Sequence, residues 1–207
     1  MVRYVFAGRS KNMKNEEATY KTTSTLLEIA RKYFAEYGYF DVPLEKIAEA
    51  GNVTRGAVYH HFKNKKGLFI AVLNKVQKDV AAQIEEEALK SDDPWQQLIL
   101  GCVGFVRSAN AKENRQILLV DAPAVLGWDI WRKIDRENSM SVLQAHIDDL
   151  KVWDYLRADA DTKLMTCSIS GALNELALNY SQNDIVIEDD AVISTISQLV
   201  SGFRKKK

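Results

Sequence analysis

Two observations predict an all-α fold of about nine helices for this 207-residue chain. Only three prolines interrupt it, and apolar residues recur three and four positions apart rather than in alternation. Hydrophobic residues make up 46% of the chain, enough to fill a packed interior.

The first helix is expected from Thr22 to Tyr37. Leu26, Ile29, Ala30, Tyr33, Phe34 and Tyr37 form its apolar stripe, and Gly38 stops it. Pro43 suits the first position of a second helix, where a missing N–H costs nothing, and Leu44, Ile47 and Ala48 give that helix one apolar edge up to Ala50. Gly51-Asn52 tolerates the left-handed backbone of a tight turn. Thr54 can then cap a short third helix, Arg55 to His60.

A long fourth helix, Lys66 to Lys90, carries Leu68, Phe69, Val72, Leu73, Val76, Val80 and Ile84. It breaks at SDDP, where Asp93 is placed to cap the helix that Pro94 opens. Further helices are expected over Trp95 to Ala109, Lys112 to Val120, Ala124 to Leu156, Asp161 to Tyr180 and Asp189 to Phe203.

Net neutrality hides two unlike parts. The first 80 residues hold 14 Lys and Arg against 8 Asp and Glu, and the remainder holds 14 against 20. Between Ala50 and Lys78 there is no carboxylate, while Arg55, Lys63, Lys65, Lys66, Lys75 and Lys78 all fall there. A cationic helix, turn and short helix make a face for a phosphate backbone.

Cys102 and Cys167 are far apart and show no metal-ligand spacing, so a structural zinc or a disulfide scaffold is not expected. No apolar run approaches the roughly 18 to 20 residues that span a bilayer, and the opening segment has too short an apolar core for a signal peptide. A soluble, cytoplasmic protein is expected. Residues 1–12 are expected to be a disordered arm or a product of start-codon choice, in preference to a basic arm that touches DNA. No nucleophile and base pair, metal-ligand cluster or Gly-rich phosphate loop is present to carry catalysis, so neither a cofactor nor a metal is expected.

A short helix that is small at its start can lie in a major groove about 12 Å wide. Thr54, Arg55, Gly56 and Ala57 would meet base edges: Gly56 and Ala57 allow close approach, Arg55 can fork onto guanine, and Ala57 can touch a thymine methyl. Tyr59, His60, Lys63 and Lys65 are groups of the kind that bind phosphate oxygens. Phe62 is expected in the core, and Lys75 and Lys78 on a solvated face.

The stretch Val53-Thr54-Arg55-Gly56-Ala57-Val58-Tyr59-His60-His61-Phe62-Lys63-Asn64-Lys65 follows Ile47-Ala48 and precedes Leu68-Phe69. Together these residues closely resemble the DNA-binding domain of TetR/AcrR-type transcriptional regulators. The resemblance covers roughly residues 22–73. It implies a recognition helix over Thr54 to His60, with phosphate contacts from Tyr59, His60, Lys63 and the start of the fourth helix. Asn52 stands where the family usually has Gly, and Val42-Pro43 where it often has two hydroxyl residues.

LLVDAPAVLGWDIWRKID and SGALNELAL resemble, more loosely, one ligand-responsive subgroup of that family. The resemblance implies an N-terminal arm over 1–20, a helix-turn-helix domain over 21–66 and an effector-binding and dimerisation domain over 67–207. It also implies a homodimer whose last two helices pair through Leu164, Gly171, Leu178, Ile193, Ile196, Leu199 and Val200. The expected function is a repressor that leaves a near-palindromic DNA operator when a small apolar or aromatic effector binds and a pendulum-like fourth helix spreads the DNA-binding heads. An activator or a corepressor-dependent regulator would use the same fold, and an enzyme or carrier built on the pocket is the alternative from another class.

Trp95, Phe105, Trp128, Trp131, Met140 and Trp153 concentrate in the second half, where large aromatics either pack a core or line a ligand pocket. Phe105, Trp128 and Trp131 are the candidates for touching an effector. His146 and Asp149, three apart on a helix, are expected as a surface pair. Asn174 and Glu175 interrupt an apolar stretch and call for partners across a dimer or in a ligand.

Overall fold

The computed structural model describes residues 4–179 and 189–206, with side chains from residue 19 onward except at 179 and 189. The first three residues of the expected arm, and Tyr180 as the end of the next-to-last helix, lie outside the described residues. Those described are helical, without strands apart from one isolated bridge between Leu156 and Arg204. The helices are α1 (Tyr4–Asp41), α2 (Leu44–Ala50), α3 (Arg55–Phe62), α4 (Lys65–Ala88), α5 (Pro94–Asn110) and α6 (Lys112–Arg115). A π-helical turn follows (Gln116–Asp121), and then α7 (Ala122–Leu126), α8 (Trp128–Glu137), α9 (Ser139–Val152), α10 (Thr162–Asn179) and α11 (Asp189–Ser201).

Two compact units divide the chain, residues 1–72 and 73–207, and α4 contributes to both. In the first unit Leu26, Ala30 and Phe34 of α1, Ile47 and Ala48 of α2, Val58 and Phe62 of α3, and Leu68 and Phe69 of α4 are buried. Phe69 meets Phe34 edge-on at 5.4 Å and Tyr39 at 5.0 Å, so one aromatic cluster joins α1 to α4. In the second unit α5 is buried along most of its length and packs against α9, α10 and α11.

Several boundaries moved for physical reasons. α1 starts at Tyr4, well before Thr22, because residues 9–37 hold neither Pro nor Gly and a helix once nucleated propagates through them. Its break falls at Gly38, as expected, with φ 77°. Pro43 is the residue before α2 rather than its first, in extended conformation (φ −70°, ψ 143°). The single helix expected from Ala124 to Leu156 is three, broken at Gly127 (φ 81°) and at Asn138 (φ −119°, ψ −100°). Asp93 caps α5 as expected, accepting from the Gln96 N–H at 2.8 Å.

Candidate functional site

The polar surface of the first unit is built around α3. Asn52 takes the left-handed conformation (φ 50°) that turns the chain after α2. Thr54 then caps α3, its Oγ1 accepting from the Ala57 N–H at 3.2 Å. Val58 and Phe62 turn inward, which leaves Thr54, Arg55, Gly56, Tyr59 and His60 exposed and Ala57 half-buried on the opposite side. Lys63 follows, exposed and in the left-handed region (φ 68°).

Two groups missed at the sequence level hold the turn into α4. Asn64 Oδ1 accepts from the Gly67 N–H at 2.8 Å, capping the helix one residue earlier than expected. Gly67 is required sterically, since a Cβ there would stand 2.0 Å from the Phe62 carbonyl oxygen. Lys65, half-buried, places its ammonium 4.4 Å from the centre of the Tyr39 ring and 3.5 Å from the Phe40 carbonyl oxygen.

Arg55 is not extended into solvent. Its Nη1 pairs with Glu45 Oε1 of α2 at 2.8 Å, and its Nη2 donates to the Tyr59 hydroxyl at 3.1 Å. The hydroxyl bond and the Glu45 charge raise the Arg55 pKa further above its ordinary value. Glu45 could not be picked out from sequence, because only the fold brings α2 and α3 together here.

The second unit holds a cavity of about 670 Å³ bordered by α4, α5, α8, α9 and α10. Its walls are largely apolar, and Phe105 is among them, together with Leu98, Cys102, Met140 and Leu173. Burial pushes the Cys102 thiol up to about 12, so it serves as an apolar wall group. Polar lining comes from Lys78, Glu85, Gln97, Asp135, Ser139, His146 and Ser170, among which sequence reasoning had singled out only His146 and Lys78, for other roles. His146 does not pair with Asp149: its Nε2 lies 2.9 Å from the Pro94 carbonyl. Three-residue spacing shows a shared face but not which other helix lies beyond it.

Trp128 and Trp131 stand outside this lining. Trp128 is 64% exposed. Trp131 is buried, and the preceding π-turn explains why: the Ala122 N–H reaches back to the Ile117 carbonyl, and Pro123 has no N–H to give. The Leu118 carbonyl is thus left for a side chain, and Trp131 Nε1 donates to it at 3.1 Å.

The positions expected at a dimer interface separate into two groups. Leu164 is 67% exposed, Leu199 and Gly171 are exposed, and Leu178 and Ile193 are half-buried. Ile196 and Val200 are fully buried within the protomer, on the edge of α11 that faces its own core. Glu175 lies on the exposed side of α10. Among the described residues no helix is long and apolar enough to cross a membrane, and no cluster of three His, Cys, Asp or Glu could hold a metal.

Residues 26–72 match the family model described as bacterial regulatory proteins of the tetR family, and residues 95–203 match that of the tetracyclin repressor-like C-terminal domain. The HTH-type transcriptional regulator AcrR of Shigella flexneri is 26% identical over 151 residues, covering 72% of this chain and 66% of the relative. The HTH-type transcriptional repressor Rv1474c of Mycobacterium tuberculosis is 38% identical over 64 residues, covering 31% of this chain and 34% of its own. The matched stretch therefore spans from about a third to two thirds of these curated relatives. A solved TetR-family transcriptional regulator from Pectobacterium atrosepticum superposes with a TM-score of 0.75 at 29% identity, over 92% of this chain and 97% of that one.

Proposed function

The chain belongs to the tetR family of bacterial regulatory proteins, and we propose on that footing that it is a homodimeric, cytoplasmic transcriptional repressor released from its operator by a small molecule. The observation that carries this reading is the exposed face of α3. Thr54, Arg55, Gly56 and Tyr59 share it, small and polar at the end that would enter a major groove, with Lys63 and Lys65 beside it for phosphate. Thr54, Arg55, Gly56 and Ala57 read base edges, and Tyr59, His60, Lys63 and Lys65 hold the backbone.

Leu164, Gly171 and Leu199, exposed on α10 and α11, with the half-buried Leu178 and Ile193, pair two protomers. This sets two recognition helices on half-sites about 34 to 36 Å apart. The effector occupies the cavity of the second unit against Phe105. A coupling of about 1 to 3 kcal/mol between ligand and DNA is enough for roughly 5- to 150-fold release. This makes the protein a binding module rather than a catalyst.

Fluorescence anisotropy with DNA flanking the protein's own gene, against scrambled DNA, over a salt series tests the reading. Salt-sensitive binding at least about a thousandfold tighter to the native fragment is expected. Equal binding to both would remove base readout by α3.

A further inference from the structure

One carboxylate lies in the buried polar lining of the cavity. Asp135, 5% exposed, borders the cavity and accepts from Arg132 Nη1 through Oδ2 at 2.7 Å. Its Oδ1 accepts from no described residue. Ser170 Oγ accepts from the same Nη1 at 3.3 Å. Gln97 donates one Nε2–H to the Ser91 carbonyl at 2.8 Å and keeps its amide oxygen and a second N–H. His146 Nε2 faces the Pro94 carbonyl, which can only accept, so that nitrogen carries a proton and donates there. Glu85 adds a second carboxylate at an exposed position. Among the described lining residues the one cation is Lys78, and it is exposed, so water screens it.

The Ser139 and Ser170 hydroxyls can donate or accept, so among the described buried lining residues Asp135 is the one charged group. A ligand carboxylate would face Asp135 without water to screen the repulsion, and a neutral hydrocarbon would leave Oδ1 unpaired. Burial raises the Asp135 carboxyl above its ordinary value, and Arg132 offsets that only in part, so a second cation would be stabilised there.

We propose that the cavity binds an apolar organic cation, an alkyl- or arylammonium whose N–H groups donate to the Asp135 carboxylate while its hydrocarbon body lies against Leu98, Phe105, Met140 and Leu143. The volume of about 670 Å³ suits such a body and lies within the roughly 300 to 1,000 Å³ of small-molecule sites. The proposal rests on the reading of this cavity as the effector site and names the class of effector.

Three probes of one chain length separate the head groups: decylammonium, decanol and decanoate, titrated below micelle formation into the full-length protein at neutral pH by calorimetry. Decylammonium is expected to bind at least about tenfold more tightly than decanoate, with decanol between them. In Asp135→Asn, the ammonium preference should collapse while decanol binding stays within about twofold. Decanoate binding as tightly as decylammonium, an ammonium preference that survives Asp135→Asn, or no binding of any probe would each overturn the proposal. The head-group series on the unsubstituted protein decides the ligand class even if a melting curve shows Asp135→Asn to be unfolded.

Operator release is a separate readout. Decylammonium that binds through Asp135 and leaves the DNA complex intact keeps this assignment and removes the regulatory one. Decanoate that binds more tightly and releases DNA does the reverse.

Discussion

Arg55 Nη2 donates to the Tyr59 hydroxyl at 3.1 Å, and the guanidinium lies 5.3 Å from the centre of the same ring, one turn along α3. The residue proposed to read a base and the residue proposed to hold a phosphate are thus bound to one another in the free protein, with Glu45 paired to the same guanidinium. Base readout by Arg55 requires this arrangement to open or to move as a unit.

Glu45→Gln removes a carboxylate from beside the proposed recognition helix and loosens Arg55. Exposed ion pairs are weak, so affinity for all DNA should rise by no more than about fivefold, with a steeper salt dependence. Arg55→Ala should instead lower affinity for the native operator more than for random sequence. Anisotropy titrations on both DNAs check the two variants together.

Lys65 is held against Tyr39 and the Phe40 carbonyl, so its charge is positioned rather than freely mobile. Lys65→Ala should shallow the slope of log affinity against log salt by about one unit, and Lys65→Arg should retain it. The salt series that tests operator binding reads this directly.

Gly67→Ala forces a methyl group onto the Phe62 carbonyl oxygen. Because that oxygen belongs to backbone, relief must come from shifting the turn, at about 1 to 3 kcal/mol or more. Asn64→Ala, which removes only the cap, should cost about 1 kcal/mol. Urea unfolding separates the two, and operator binding should fail in the first while weakening little in the second.

Phe105 and Trp131 should part company. Filling the cavity with Phe105→Trp should abolish the response of the DNA complex to effector. Trp131→Phe deletes the bond to the Leu118 carbonyl, lowering stability by about 1 kcal/mol and leaving the response unchanged. Thermal melts and effector titrations of the DNA complex check both.

Leu164→Glu should convert a dimer into a folded monomer, because Leu164 is exposed in the protomer. Ile196→Glu should unfold the protomer itself, since its side chain is fully buried and a carboxylate there has no water. Light scattering after size exclusion, with circular dichroism, distinguishes the outcomes.

The legible parts of the chain were those governed by near neighbours. The break at Gly38, the positive φ at Asn52 and the caps at Thr54 and Asp93 each depend on a few adjacent residues, and local chemistry decided them. Glu45 and Ser170 acquire their roles from partners on other helices, which no spacing within one helix reveals. The apolar residues of α11 show the same limit. Leu199 and Val200 are adjacent and similar in hydropathy, yet one is exposed and the other sealed, and only the packing of α11 on α5 separates them.

The π-turn at Gln116–Asp121 also stores a surplus of chain. A wide turn of this kind holds one residue more than an α-turn, so a one-residue deletion within it can be absorbed by tightening to α geometry. The same deletion inside α5 would swing every later side chain by about 100° around the helix axis. Chain length can therefore drift at this point without re-aiming α7 and α8: with one of residues 119–121 deleted, the Ala122 bond to the Ile117 carbonyl becomes an ordinary α-bond, and Leu118 faces Pro123, which has no N–H to give. The acceptor of the Trp131 indole thus survives in the shorter form of the segment.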